Sequence, residues 1–458
     1  MTPDPTPRRS IYRDFAGPML TILLASLGTS IANVALPQLA SAFAAPFSTV
    51  QWVVIAYLLS LTVCSAGAGR LGDRVGHGRA LRLGVALFVF GAIAAALCTQ
   101  IWLLILARMV QGAGAAVMIV LPMALLRDKT PADRLGRAMG LLGTASAIGT
   151  ALGPALGGFL IASLGWPAIF WLLAALGGLC LWLGRERGQA AKQTFVAEKI
   201  DLRGAISFGV AIAGVALTLT LPFGAIGIGT LVASGISALV FLRAERRASA
   251  PFFPPSALAD RAMRRGLAAN ALVAAVMMTT LVVGPFYLAR GLGLGSGAVG
   301  LVLSVGPVLS TLSGFPAGRM VDRLGAGQVA QLGVMAMAIA VALIAGFVSR
   351  FGLVAYLGGI AILTPGYQLF LAANTTLVLT KAGSAERGVI SGLLGLSRNI
   401  GLIIGAAGMG ALFARAAGRA DAALANAPQI GFAVVVSFAV ATGLLIVAVL
   451  LVRPARGA

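Results

Sequence analysis

Long apolar runs broken by short polar stretches fill the chain from residue 16 to residue 452. The first six runs cover about 16–40, 50–69, 81–99, 101–126, 135–161 and 167–184. Two more lie at about 204–221 and 223–242, between polar stretches. The last six cover about 266–289, 297–317, 328–348, 352–380, 387–413 and 430–452. Most have the length of about 20 residues that a helix needs to cross a bilayer. The pattern predicts an all-α polytopic membrane protein with about 14 transmembrane helices. It divides into a tail at 1–15, a six-helix half at 16–184, linkers and an inserted helix pair within 185–265, a second six-helix half at 266–452 and a tail at 453–458. Residues 1–14 are polar and Pro-rich and lack the apolar core of a signal peptide.

Composition strengthens this reading. Hydrophobic residues make up 59% of the chain and charged residues 10%. Mean hydropathy is +0.98. A soluble chain carries about 45–50% apolar and about 25% charged residues. Disorder, a disulfide scaffold and a collagen-like fibre are excluded. The 60 glycines and 20 prolines suit membrane helices. Cys64, Cys98 and Cys180 lie inside apolar runs without metal-ligand spacing and read as small buried hydrophobes.

The net charge of +21 first suggests a polyanion partner such as nucleic acid. Its distribution rules that out. Of the 34 basic residues, only Arg290, Arg350, Arg415 and Arg419 lie on one side of the predicted bundle. Arg108 and Arg398 lie within helices, and the rest fall on the side that holds both termini. By the positive-inside rule that side is cytoplasmic, in an inner (plasma) membrane of bacterial type.

A loop motif occurs twice. Gly69-Arg70-Leu71-Gly72-Asp73-Arg74-Val75-Gly76, continuing to Arg79, joins the second and third helices. Gly318-Arg319-Met320-Val321-Asp322-Arg323-Leu324-Gly325 joins the tenth and eleventh. Both follow G-R-x-x-D-R-x-G, so the chain contains an internal repeat. The spacing of the copies exceeds six helices, and the inserted pair supplies the excess. Gly76 and Gly325 suit a tight turn. Asp73 and Asp322, with Arg74 and Arg323, can pair in one orientation of the halves and part in the other, or serve only to set topology. His77, the sole histidine, reads as a solvated loop residue.

These motifs resemble those of the major facilitator superfamily. The loop 69–79 is similar to its signature loop. Arg108-Met109-Val110-Gln111-Gly112 resembles its helix-4 motif, and Gly149, Gly153, Pro154, Gly157 and Gly158 fall in a stretch similar to its antiporter motif. Asn33-Val34-Ala35-Leu36-Pro37 and the run Trp52 to Tyr57 resemble the fourteen-helix drug:proton antiporter branch. The resemblance implies alternating access, efflux of drugs or other small molecules, and proton antiport. One departure matters. Gly28 stands where that branch commonly carries an Asp tied to cation recognition or proton coupling.

None of the 13 acids falls in the middle of a predicted helix, where proton relays usually sit. Asp73 and Asp322, at the membrane edge, are the remaining proton candidates. Arg108 and Arg398 need carbonyls, amides, water or substrate as partners. Gln111 shares a helix face with Arg108, and Asn399 adjoins Arg398. Asn33, Asn270, Tyr287, Tyr367, Gln368 and Asn374 either line a cavity or bond helix to helix. The cavity is expected between the helices at 16–40, 101–126, 266–289 and 352–380.

The expected function is a secondary active transporter of small molecules. A metabolite exporter or uncoupled facilitator is a second reading, and a membrane sensor or partner protein without transport a third. Without a buried carboxylate, a neutral, zwitterionic or anionic substrate suits the chain better than a lipophilic cation. No nucleophile–base pair, metal cluster or phosphate loop is present, so neither enzyme chemistry nor a cofactor or metal is expected. The expected partners are lipid, a small-molecule substrate and protons, with the monomer as a plausible unit.

Overall fold

The computed structural model describes residues 8–129, 132–183, 202–221, 225–245, 260–380, 387–418 and 425–452. Most of the linkers expected within 185–203 and 243–265, the start of the N-terminal tail and the tail at 453–458 lie outside the described residues. Among the described residues there is no strand.

The first half contains α1 (Arg8–Ala42), the short α2 (Phe47–Val50), α3 (Trp52–Val75), α4 (His77–Leu97), α5 (Ile101–Lys129), α6 (Ala132–Leu164) and α7 (Pro167–Leu183). The inserted pair is α8 (Leu202–Thr220) and α9 (Ala225–Glu245). The second half contains α10 (Arg261–Phe286), α11 (Ser296–Leu324), α12 (Ala326–Thr380), α13 (Arg387–Ala416) and α14 (Ala427–Val452). A π-helical turn, Tyr287–Gly291, extends α10. Gly352, with φ +51° and ψ −122°, breaks α12 into two limbs, 326–351 and 353–380.

Eleven helices are long and apolar enough to cross a membrane. Counting the limbs of α12 separately, and adding the shorter apolar helices Pro167–Leu183 and Ile206–Thr220, brings the total to fourteen. Large apolar side chains such as Phe90, Trp102, Phe159, Ile226 and Phe432 are exposed, as lipid contact requires. Cys64, Cys98 and Cys180 are free thiols and half-buried rather than buried.

Helix ends differ from the expected boundaries. The helical part of the first segment begins at Arg8, inside the expected polar tail. Both repeated motifs are helical to within one residue of their end, where loops were expected. Residues 69–75 close α3 and 318–324 close α11. Only Gly76 (φ +88°) and Gly325 (φ +82°) leave the helix, and the next helix starts at the following residue. Arg, Leu, Met, Asp and Val are all compatible with a helix, so the left-handed glycine alone makes the reversal.

Helix packing repeats between the halves. α1 packs on α6 as α10 packs on α13, and α3 packs on α5 as α11 packs on α12. Small residues permit the first of these contacts in each half. Gly149, Gly153 and Gly157 lie against Leu23, Ser30 and Ile31 of α1. Gly401 and Gly405 lie against Ala271 and Ala275 of α10. Close packing replaces the missing hydrophobic drive between helices in lipid. Tyrosine hydroxyls also bond helices within each half: Tyr57 of α3 donates to the Ala25 carbonyl of α1 at 3.0 Å, and Tyr356 of α12 to the Thr280 carbonyl of α10 at 3.4 Å.

The inserted pair rests on both halves. α8 contacts α3 and α13. Trp52 Nε1 donates to Thr220 Oγ1 at 3.2 Å, and Arg415 donates to the carbonyls of Leu219 and Leu221 at 3.3 and 3.2 Å. Arg415 therefore satisfies carbonyls that the end of α8 leaves open.

Candidate functional site

The ends of the bundle at Gly76 and Gly325 form the motif face, and the opposite ends form the far face. At the far face the halves meet closely. A methyl added to Gly158 of α6 would lie 2.6 Å from the Gly300 Cα of α11. A methyl on Gly300 would lie 2.5 Å from the Pro154 carbonyl oxygen. The two helices thus touch backbone to backbone. Beside them Gln38 Nε2 donates to Ser296 Oγ at 3.2 Å, and Arg290 Nη2 donates to Ser41 Oγ at 2.8 Å. Both bonds join α1 to the second half. On another side of the seam, Phe47 of α2 packs edge-on against Phe286 with ring centroids 4.6 Å apart, and lies 5.4 Å from Phe413.

A small cavity of about 180 Å³ lies within this seam, lined by Val34, Gln38, Ser41, Arg290, Ser296 and Val299 among others. The π-helical turn carries Arg290 into it. Such turns often mark functional positions in helices.

Toward the motif face several glycines of these helices have open space beside them. Methyls on Gly67 and Gly69 of α3, Gly143 of α6, Gly314 and Gly318 of α11, and Gly392 and Gly395 of α13 would meet nothing within 4 Å. Thr144, Thr311 and Ser391 are exposed. The backbone contact between α6 and α11 at Gly158 and Gly300 thus has no counterpart at Gly143, Gly314 or Gly318.

Arg108 sits in the first half, fully buried. Its Nε donates to the Val53 carbonyl at 3.1 Å, its Nη1 to Gln111 Oε1 at 2.5 Å and its Nη2 to the Gly28 carbonyl at 3.1 Å. The guanidinium also lies 4.0 Å from the centroid of the Tyr57 ring. Gly112 lets α5 reach the backbone of α3 at Tyr57. Arg108 thus ties α1, α3 and α5 together. At Gly28 an added Cβ would lie 3.0 Å from the Phe88 ring and 3.3 Å from Tyr57 Oη. In place of an acid, this position offers Arg108 a backbone carbonyl.

The other positions singled out in the sequence separate into groups. Asn33 is buried, and its Oδ1 has no hydrogen-bond partner among the described residues. Tyr287 is buried and donates to the Val348 carbonyl at 3.4 Å. Asn374 is buried and donates to the Gly266 carbonyl at 3.2 Å, joining α12 to α10. Asn270 likewise donates to the Leu394 carbonyl at 2.8 Å. Gln368 bonds Ser310, joining α12 to α11, and Tyr367 beside it is half-buried. Asn399 is half-buried and Arg398 is exposed.

At the motif face Asp73 is exposed and His77 lies 3.2 Å from its Oδ1. His77 is not the freely solvated loop residue expected. It begins α4, and its ring lies over Gly72. Arg74 and Asp322 stand in the last turns of α3 and α11, and Asp322 and Arg323 are exposed. Arg79 lies in the first turn of α4.

Sequence reasoning missed Gly300, Gln38, Ser41 and Ser296. None belongs to a recognisable motif, and their partners lie far away in sequence.

Two repeated helix bundles facing each other across a seam closed at one end define a membrane transporter. The chain belongs to the Major Facilitator Superfamily, whose sequence pattern matches residues 19–406. It is 30% identical over 409 residues to the Mycobacterium tuberculosis protein named Drug efflux pump JefA, spanning 86% of this chain and 80% of that one. It is 29% identical over 408 residues to the Escherichia coli (strain K12) protein named Uncharacterized transporter YebQ, spanning 85% and 87%. The crystal structure of a D-xylose-proton symporter shares the fold with a TM-score of 0.71 at 14% sequence identity, covering 97% of this chain and 98% of that one.

Proposed function

We propose that this chain exports small molecules across the plasma membrane by alternating access, with the motif face and both termini in the cytoplasm. The bodies that move are the halves at 16–184 and 266–452. The observation that carries the reading is the asymmetry of the seam. Gly158 and Gly300 touch backbone to backbone at the far face, while Gly143, Gly314 and Gly318 of the same two helices, nearer the motif face, have open space beside them. A path open to one side and sealed on the other is one of the two end states that alternating access requires. The similarity to a protein named as a drug efflux pump supports export as the direction. The excess of basic residues at the motif face supports the orientation.

In this reading the loop motifs act at the cytoplasmic ends. Asp73, Arg74 and Arg79, with Asp322 and Arg323, form contacts that differ between the two states. Gly149, Gly153 and Gly157 hold α6 on α1 so that Pro154 and Gly158 can seal the far face. One chain supplies both halves and the whole path, so the monomer is the transport unit.

Proton antiport follows from the family resemblance, and the candidate carboxylates for it are Asp73 and Asp322 at the motif face. Because no acid lies in the middle of a span among the described residues, an uncoupled facilitator is the second reading. Purified protein in liposomes, given a panel of dyes and metabolites with and without an imposed pH gradient, separates the two. Gradient-driven accumulation supports the antiporter. Equilibration at the same rate in both conditions supports the facilitator. No movement of any compound overturns the transport reading.

A further inference from the structure

The structure separates two arginines that look alike in sequence. Arg108 is enclosed, and its three nitrogens have acceptors at 2.5 to 3.1 Å. Its charge is committed to holding helices together. Arg398 is the opposite case. It is exposed, and among the described residues it has no hydrogen bond or ion pair.

Arg398 also lies deep. The apolar span of α13 runs from Val389 to Ala416, so Arg398 sits nine residues, or about 13 Å, from its motif-face end. A charged side chain at such depth faces the bundle interior or a water-filled cavity rather than lipid. The helix pattern agrees. Ser391, Gly395 and Arg398 fall on one face at intervals of four and three. Other faces of the same stretch are apolar, with Ile390, Leu393, Ile400 and Ile404. Methyls on Gly392 and Gly395 would meet nothing within 4 Å, so the motif-face part of this helix is open.

The charge balance of the path is one-sided. In the eleven long spans the only acids are Asp322, two residues from the end of its span, and Glu245, the last residue of its own; Asp73 holds the place matching Asp322 at the end of α3. At the far-face end of the path, Arg290 enters the small seam cavity together with an amide and two hydroxyls. A cation entering this path meets the charge of Arg398, which has no hydrogen bond or ion pair among the described residues. An anion meets Arg398 in the open part. A guanidinium binds a carboxylate through two parallel, charge-assisted hydrogen bonds.

We propose that the transported molecules are organic anions, and that Arg398 binds the carboxylate or similar acidic group of each. This rests on the exporter reading and names its substrate class.

The test uses the full chain, purified and reconstituted in liposomes. The probes are three carboxylated fluorescein-type dyes and, as organic cation, ethidium. Binding is measured by fluorescence anisotropy and transport by dye movement across the liposome membrane. The variants are Arg398→Gln and Arg398→Lys, with thermal unfolding to confirm that each is folded. The expected result is that the wild type binds and moves at least one anionic dye and not ethidium. Arg398→Gln weakens anion binding at least tenfold, and Arg398→Lys keeps most of it. The proposal is overturned if ethidium is moved in preference to the anions, if none of the three anions binds, or if a folded Arg398→Gln protein binds them as well as the wild type. Arg398-dependent binding without transport would keep the site and overturn the exporter reading instead.

Discussion

Gly158→Ala is the change that strains the seam most directly. The new methyl would lie 2.6 Å from the Gly300 Cα and 2.7 Å from the Ser296 carbonyl oxygen, where ordinary contact is 3.4–4 Å. Both obstacles are backbone, so α6 and α11 have to part by about 1 Å for the far face to stay shut. Overpacking of this kind costs about 1–3 kcal/mol. If the strain is released when the far face opens, the equilibrium shifts toward that state by roughly 5- to 150-fold, since about 1.4 kcal/mol is a factor of ten. The assay needs a reporter that is hidden when the seam is closed. Val299 lines the seam cavity and is buried. Val299→Cys, in a background without Cys64, Cys98 and Cys180, is reacted with a membrane-impermeant maleimide added from the far face. Gly158→Ala should raise the reaction rate by that factor. Gly143→Ala, whose methyl would meet nothing within 4 Å, should leave it unchanged. Equal rates in a folded Gly158→Ala protein would refute the claim that α6 and α11 form the closed gate.

Three further changes test other parts of the structure. Arg108→Ala leaves two carbonyls and Gln111 without their donor and should lower stability by at least about 2 kcal/mol, read by denaturant unfolding in detergent; wild-type stability would show that the buried arginine does not join the helices. Gly325→Ala should cost about 1–2 kcal/mol through left-handed backbone strain alone, because its methyl has free space; an unchanged melting temperature would contradict the turn geometry. Arg415→Ala should speed amide hydrogen exchange around Leu219–Leu221 and lower stability by about 0.3–1 kcal/mol; unaltered exchange there would remove its role as a cap on α8.

Much of the fold was legible because lipid imposes a simple pattern. Most spans are apolar runs of sufficient length, and the two copies of G-R-x-x-D-R-x-G exposed the repeat. Boundaries were less legible. Polar residues continue α1 back to Arg8 and carry α3 and α11 to within one residue of their turns, because nothing in those residues breaks a helix. The glycine stripe was visible, but its partners were not. Gly149, Gly153 and Gly157 pack within their own half, and Gly158 alone of the four glycines crosses to α11. That crossing depends on Gly300, a single glycine among 60. The missing acid at Gly28 was apparent from the motif. That its carbonyl serves Arg108, while the Phe88 ring occupies the space beside it, required coordinates. Nor does spacing distinguish a buried arginine from an open one, so Arg108 and Arg398 became different residues only in three dimensions.

The central claim is that the two halves rock about a common path. Spin labels on α6 and α11 test it within one pair of helices. Leu164 and Leu301 are exposed toward the far face, and Leu141 and Phe315 toward the motif face. Distances for both pairs are measured in lipid, for the wild type and for Gly158→Ala. The account predicts reciprocal change: the population with a longer far-face distance has a shorter motif-face distance, and Gly158→Ala enlarges it. Two distances that stay fixed, or that lengthen together, would contradict alternating access in this protein.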